Sequence, residues 1–158
     1  MSRFPLFTAG LLAIAVAVNA VAAPDAPGGV DLSGHVEHAQ HLTLAELQAM
    51  PQSAVDVTFQ TDHGARTGHY AGALLWDVVQ KAGIAEAPES KAKHHLQHSV
   101  IITGRDGYQV AVSVAEIDPE FEGKTVILTD DQDAVRLVVP GDKLGGRAVR
   151  DVVKIEIE

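Results

Sequence analysis

The residues best suited to chemistry lie in Gly141-Asp142-Lys143-Leu144-Gly145-Gly146-Arg147, with a further cation at Arg150. Glycine-rich backbone can turn successive amides toward one point, and a guanidinium grips phosphate or carboxylate with two parallel hydrogen bonds, so the pattern is that of an anion cradle. It lacks the Gly-Lys-Ser/Thr ending of the nucleotide-binding loop. Lys143, Arg147 and Arg150 would supply charge, and Gly145 and Gly146 would let a ligand approach. Arg66 and Tyr108 are further candidates from other parts of the chain. The plainer alternative is a tight connection whose cations sit in solvent or pair with Asp142 and Asp151, with Tyr108 capping the core beside its turn.

Eight histidines are the other unusual feature. His35, His38 and His41 are spaced three apart, and His94, His95 and His98 form a second group. Imidazole suits Zn²⁺ and Cu²⁺. The first group runs from an expected strand into a loop, where three-residue spacing does not bring rings together, so a solvated loop without metal is the expectation. His35, His38 and His41 remain the candidate ligands of a weak site. No Gly-x-Ser-x-Gly is present, the cysteine count is zero, and no acid/base pair of carboxylates stands out, so a hydrolase arrangement is missing.

Residues 1–22 read as a secretory leader: Arg3 near the start, an apolar run from Leu6 to Val18, and small residues at Ala20-Val21-Ala22. Pro5, Gly10 and Asn19 make an uncleaved anchor the weaker reading, so no membrane insertion is expected after cleavage. With a single arginine and no Arg-Arg pair, the leader points to the general secretory route and a periplasmic destination. Residues 23–30 would be a flexible lead-in and 31–158 one domain, a length that buries roughly two-thirds of its unfolded surface. The chain carries 12 Lys+Arg against 21 Asp+Glu, a formal net charge of −9. Such a surface repels phosphate backbones, which argues against nucleic acid as a partner.

Several elements would position these residues. A first strand is expected over 31–37. Thr43 to Glu46 forms a capping box for a short helix ending before Pro51. The alternation of 54–59 puts Val55, Val57 and Phe59 on one strand face, a turn at Asp62-His63-Gly64 follows, and a second strand covers 66–70. Residues 73–82 read as a helix with a stripe of Leu74, Leu75, Val78, Val79 and Ala82, closed by Gly83, with Trp76 at the rim of the core. Residues 84–93 form a polar connection. Strands are then expected over 98–103, 108–114, 126–129, 134–139 and 152–157, with Tyr108, Val110, Val112 and Val114 on one face. The class is α+β with β dominant: mixed sheets or a barrel-like core and two or three short helices.

Taken in order, these pieces resemble the molybdopterin-binding domain of the sulfite oxidase family of oxidoreductases. The resemblance rests on residues 32–37 and 42–47, Tyr70-Ala71-Gly72-Ala73-Leu74-Leu75-Trp76-Asp77-Val78, Ala82-Gly83, Asp106-Gly107-Tyr108, and Arg136 to Gly141 leading to Gly146-Arg147. It implies that family's fold over nearly all of 31–158, with molybdopterin as the cofactor the family would supply. Family members that hold molybdenum use a cysteine thiolate at the end of the strand matching 55–60, a soft donor that stabilises the oxidised metal. Phe59, Gln60 and Thr61 stand there instead. The family's Arg-Asn-His pterin contact is missing, and its usual Lys-Trp pair is replaced by Arg150-Asp151. Family enzymes of the bacterial envelope leave the cytoplasm folded around their pterin, and that requires the twin-arginine signal this leader lacks.

The resulting expectation is a periplasmic binding protein on a molybdopterin-oxidoreductase fold, without molybdenum and not catalytic, that takes a small anionic ligand or a periplasmic protein partner. The alternatives are a molybdopterin-dependent oxidoreductase with unusual ligation and a histidine-based metal carrier.

Overall fold

The computed structural model describes residues 28–61, 63–85 and 94–158. The leader, its cleavage site, most of the 23–30 lead-in and most of the 84–93 connection lie outside the described residues.

Two sheets carry the fold. Strands β1 (Gly29–Gly34), β2 (Gln40–Thr43), β5 (Ser99–Gly104), β6 (Gln109–Ser113) and β9 (Val152–Ile157) make a five-stranded sheet in the order β2-β1-β9-β5-β6. Its β1 and β9 run parallel and its other pairs antiparallel. Strands β3 (Gln52–Thr61), β4 (Gly64–Leu74), β7 (Ile127–Asp130) and β8 (Val135–Val138) make an antiparallel sheet in the order β3-β4-β7-β8. Both sheets are open at their edges, so the core is mixed sheets and not a closed barrel. Three short helices, α1 (Leu44–Ala49), α2 (Leu75–Ala82) and α3 (Val114–Ile117), complete the β-dominant α+β fold.

Local sequence accounts for most of these elements. The Thr43 hydroxyl accepts from the Glu46 amide while the Glu46 carboxylate accepts from Thr43 N, closing the expected capping box on α1. Gly83, at φ 70°, closes α2 by donating to Val79 and Gln80 carbonyls. Trp76 is half-buried and packs against the main core, as a rim residue should.

Four boundaries depart from expectation. The first strand begins at Gly29 and ends at Gly34, and Val30 is fully buried under it, so the lead-in stops short of residue 30. Residues 40–43 form β2, pairing with β1, where the sequence suggested only loop. The helix expected from Ala73 starts at Leu75, because Ala73 and Leu74 pair with Leu128 and Ile127 as the end of β4. Val114 leaves the β6 face to open α3, capped by the Ser113 hydroxyl, and Tyr108 stands exposed instead of sharing that face.

The second sheet is apolar on both faces, and this places the candidate site. Strict alternation sends Val135 and Leu137 into the main core with Leu128, while Ile127 and Val138 turn to the opposite face. There they join Val57 in a small cluster flanked by Val55, Phe59, Tyr70 and Leu74. Position 136 shares the face of Val138, and position 66 the face of Tyr70. Two arginines are thereby directed beside an apolar patch on the outside of the sheet.

Candidate functional site

On that outer face lies a cavity of about 510 Å³ whose walls include Phe59, Arg66, Tyr70, Arg136, Gly145 and Arg150. Phe59 and Arg66 sit opposite one another in the β3–β4 register. Gly68 allows the Tyr70 ring to lie back over the strand: a Cβ there would fall 2.5 Å from the ring's Cε2. Arg136 packs its guanidinium over that ring, 5.1 Å from the centroid, which anchors a cation on an aromatic face. The fourth wall comes from the loop after β8, where Gly145 lies 3.8 Å, at its hypothetical Cβ, from the Phe59 ring.

The charged side chains in the described lining of this cavity are cations. Its described lining holds three arginines and His63 and no carboxylate. Arg136 donates from Nη1 to Asp131 at 3.2 Å, but its buried Nε has no acceptor. Arg66 and Arg150 are exposed and have no ion pair among the described residues.

The sequence candidates divide between this cavity and its supports. Arg66, Arg150 and Gly145 line it. Arg147 is not among its lining residues. Its Nε and Nη2 donate to Asp142 at 2.9 and 2.6 Å, and its Nη1 donates to Glu116 Oε2 at 3.1 Å. Glu116 also accepts from Lys124 Nζ at 2.6 Å. The Arg147 guanidinium is therefore satisfied internally, the pairing with Asp142 that the plainer reading of the loop allowed. Burial opposes ionisation of Glu116, but hydrogen bonds from Arg147 and Lys124 outweigh it and hold its carboxyl below the ordinary value. Asp142 is held low chiefly by its hydrogen bond from Arg147, and the same pairs raise Arg147 further.

Lys143 contributes its carbonyl, which accepts from Gln60 N at 2.9 Å and ties the loop to β3. Tyr108 donates its hydroxyl to the Gly146 carbonyl at 2.8 Å, so it braces the loop from the other side. Arg105, and not a loop cation, takes Asp151 at 2.8 Å. The structure thus makes Gly146, Arg147 and Tyr108 the frame, joined by the Lys143 carbonyl while the Lys143 side chain is exposed away from the cavity lining, and Arg66 and Arg150 the exposed cations that line the cavity. Arg136, Phe59 and Tyr70 were missed as site residues. The signal for Arg136 was present, since a cation inside the apolar run 135–139 must have a reason to be there.

Among the described residues the histidines of the two groups take separate partners. His41 is bound through Nδ1 to Asp31 at 2.6 Å, while the His35 and His98 rings lie tilted against one another, with centroids 5.4 Å apart. Among the described residues no set of three or more His, Asp or Glu side chains is placed to hold a metal ion. No helix of the described residues is long and apolar enough to cross a membrane.

No family model matches the chain, and no curated protein matches it. Among solved structures, the chain is similar to the sulfane dehydrogenase SoxCD from Paracoccus pantotrophus, with a TM-score of 0.63 at 17% identity. The match covers 82% of this chain and 38% of that one, so this chain spans well under half of the neighbour's length. The likeness is one of fold, and the neighbour's fold is that of the sulfite oxidase family.

Proposed function

We propose that this protein binds a small anionic ligand in the arginine-lined cavity on the outer face of its second sheet. The carrying observation is that Arg66, Arg136 and Arg150 surround one cavity, free of carboxylates among its described lining, in a chain of formal net charge −9. Only Arg136 of the three has a carboxylate partner among the described residues, Asp131, so the gathered cations disfavour the empty cavity and an entering anion relieves that repulsion. Guanidinium groups suit phosphate, sulfonate or carboxylate, and the Phe59 and Tyr70 rings suit an apolar or flat body attached to such a group. A phosphate-bearing pterin is one member of this class. The leader expected at residues 1–22 would place the activity in the periplasm.

The residues present do not fit a molybdenum centre. The sequence contains no cysteine, the Phe59 ring forms a cavity wall at the end of β3, and Gln60 is occupied in bridging to the loop. Binding without redox chemistry is therefore the reading preferred over an oxidoreductase. A protein partner presenting the anionic group is a second reading, favoured by the exposure of Leu144 (66%) and Tyr108 (51%) on the loop and its brace.

An NMR titration with inorganic phosphate, a nucleotide and a pterin phosphate tests the proposal. Amides of Phe59, Arg66 and Gly145 to Arg150 should move, and Arg66→Ala or Arg150→Ala should weaken binding by about 1–2 kcal/mol, allowing for solvent screening. Unmoved amides in all three titrations would remove the anion site. Elemental analysis of protein made in a host that synthesises molybdopterin should find no stoichiometric molybdenum, and near-equimolar metal would restore the enzyme reading.

A further inference from the structure

A second cavity, of about 440 Å³, shares no lining residue with the first. It lies between α2 and the turn after α3, with Trp76 and Gln80 from one side and Pro119 and Glu120 from the other. Ile84 adds an apolar wall. At its base the Asp118 carboxylate, 4% exposed, is joined to His95 Nε2 at 2.8 Å. The other Asp118 oxygen accepts from Glu120 N at 2.8 Å, which fixes the turn that carries Glu120. The Glu120 carboxylate itself has no hydrogen bond or ion pair among the described residues.

From this arrangement we infer a binding site for a small organic cation, an amine or guanidinium on an apolar body. The sign follows from the lining. The described lining holds two carboxylates, Asp118 and Glu120, and one imidazole, so its carboxylates outnumber its possible cations. Asp118 is consumed by its turn and by His95, which leaves Glu120 as the group for a ligand's charge. An indole face attracts a cation through its quadrupole, most strongly among the aromatic side chains, and Trp76 with Ile84 and Pro119 supplies apolar contact for the rest of the molecule. Anions would meet both Glu120 and the acidic character of the whole chain. The two cavities therefore select opposite charges.

Trp76 is the chain's single tryptophan, so emission excited at its red edge reports this cavity alone. Phenethylamine and agmatine are the probes, and 2-phenylethanol is the neutral control. Saturable change in emission is expected with both amines and none with the alcohol at equal concentration. Glu120→Gln should weaken amine binding roughly tenfold, the scale of one charge-assisted hydrogen bond. Gln80→Lys, which sets a fixed cation in the lining, should abolish it. Both positions are exposed, so an unchanged melting temperature separates lost binding from lost fold. An equal response to the alcohol, full amine binding by Glu120→Gln, or no response to either amine would each overturn the inference.

Discussion

Arg147 gives its guanidinium to two carboxylates, and that commitment makes the glycine-rich loop sensitive to acid. Glu116 and Asp142 have folded-state pKa values below their ordinary 4.5 and 3.8. Depressed carboxyls add stability that is fully present above the unfolded values and is lost as pH falls through the folded ones. Melting temperatures measured from pH 7 to pH 2.5 should therefore drop mainly below about pH 4.5, and Glu116→Gln should flatten that drop while lowering stability at pH 7 by about 1–3 kcal/mol. An acid limb unchanged in the variant would show that other carboxylates control it. Arg147→Ala should be costlier at neutral pH, since it strips Asp142 of its guanidinium and leaves Glu116 only Lys124. Sequence could nominate Asp142 as the partner because it lies five residues away. Glu116, across 31 residues, was beyond such reasoning, and so the loop's most prominent cation looked available when it was not.

Elements were legible where a local rule fixes them and obscure where a distant partner does. The capping box of α1, the glycine that ends α2, the alternation of β3 and the span of β9 follow from neighbouring residues. The start of α2 does not: Ala73-Leu74 satisfies a helical stripe equally well, and only the presence of β7 makes it strand. β2 was hidden because its four residues form a strand only by pairing with β1. The β4–β7 joint also imposes a steric demand at Gly72, where a Cβ would fall 2.2 Å from the Leu128 carbonyl oxygen. Backbone cannot step aside as a flexible side chain would. Gly72→Ala should cost about 1–3 kcal/mol in urea unfolding with an unchanged m-value. Gly146→Ala, whose Cβ would meet nothing within 4 Å, should stay within about 0.5 kcal/mol of the parent. Equal effects at the two positions would mean the joint opens without penalty.

At the scale of the molecule, a cationic cavity in a chain of net charge −9 sets local attraction against global repulsion. Ionic strength decides how much of the molecule an approaching anion feels, because the screening length is about 30 Å at 0.01 M, 10 Å at 0.1 M and 3 Å at 1 M. At the lowest salt the anion senses nearly every acidic side chain. Near 0.1 M the charges within reach are chiefly those at the cavity, Arg66, Arg136 and Arg150 with Asp131 beside Arg136, and at 1 M even these are screened. Phosphate affinity measured by calorimetry should therefore rise from 0.01 M to about 0.1 M salt and then fall. Amine binding at Trp76 and Glu120 should only fall, since there the local and global fields have the same sign. If phosphate affinity instead declined from the lowest salt onward, the distant carboxylates would have no hold on the site, and the three arginines alone would set its preference for anions.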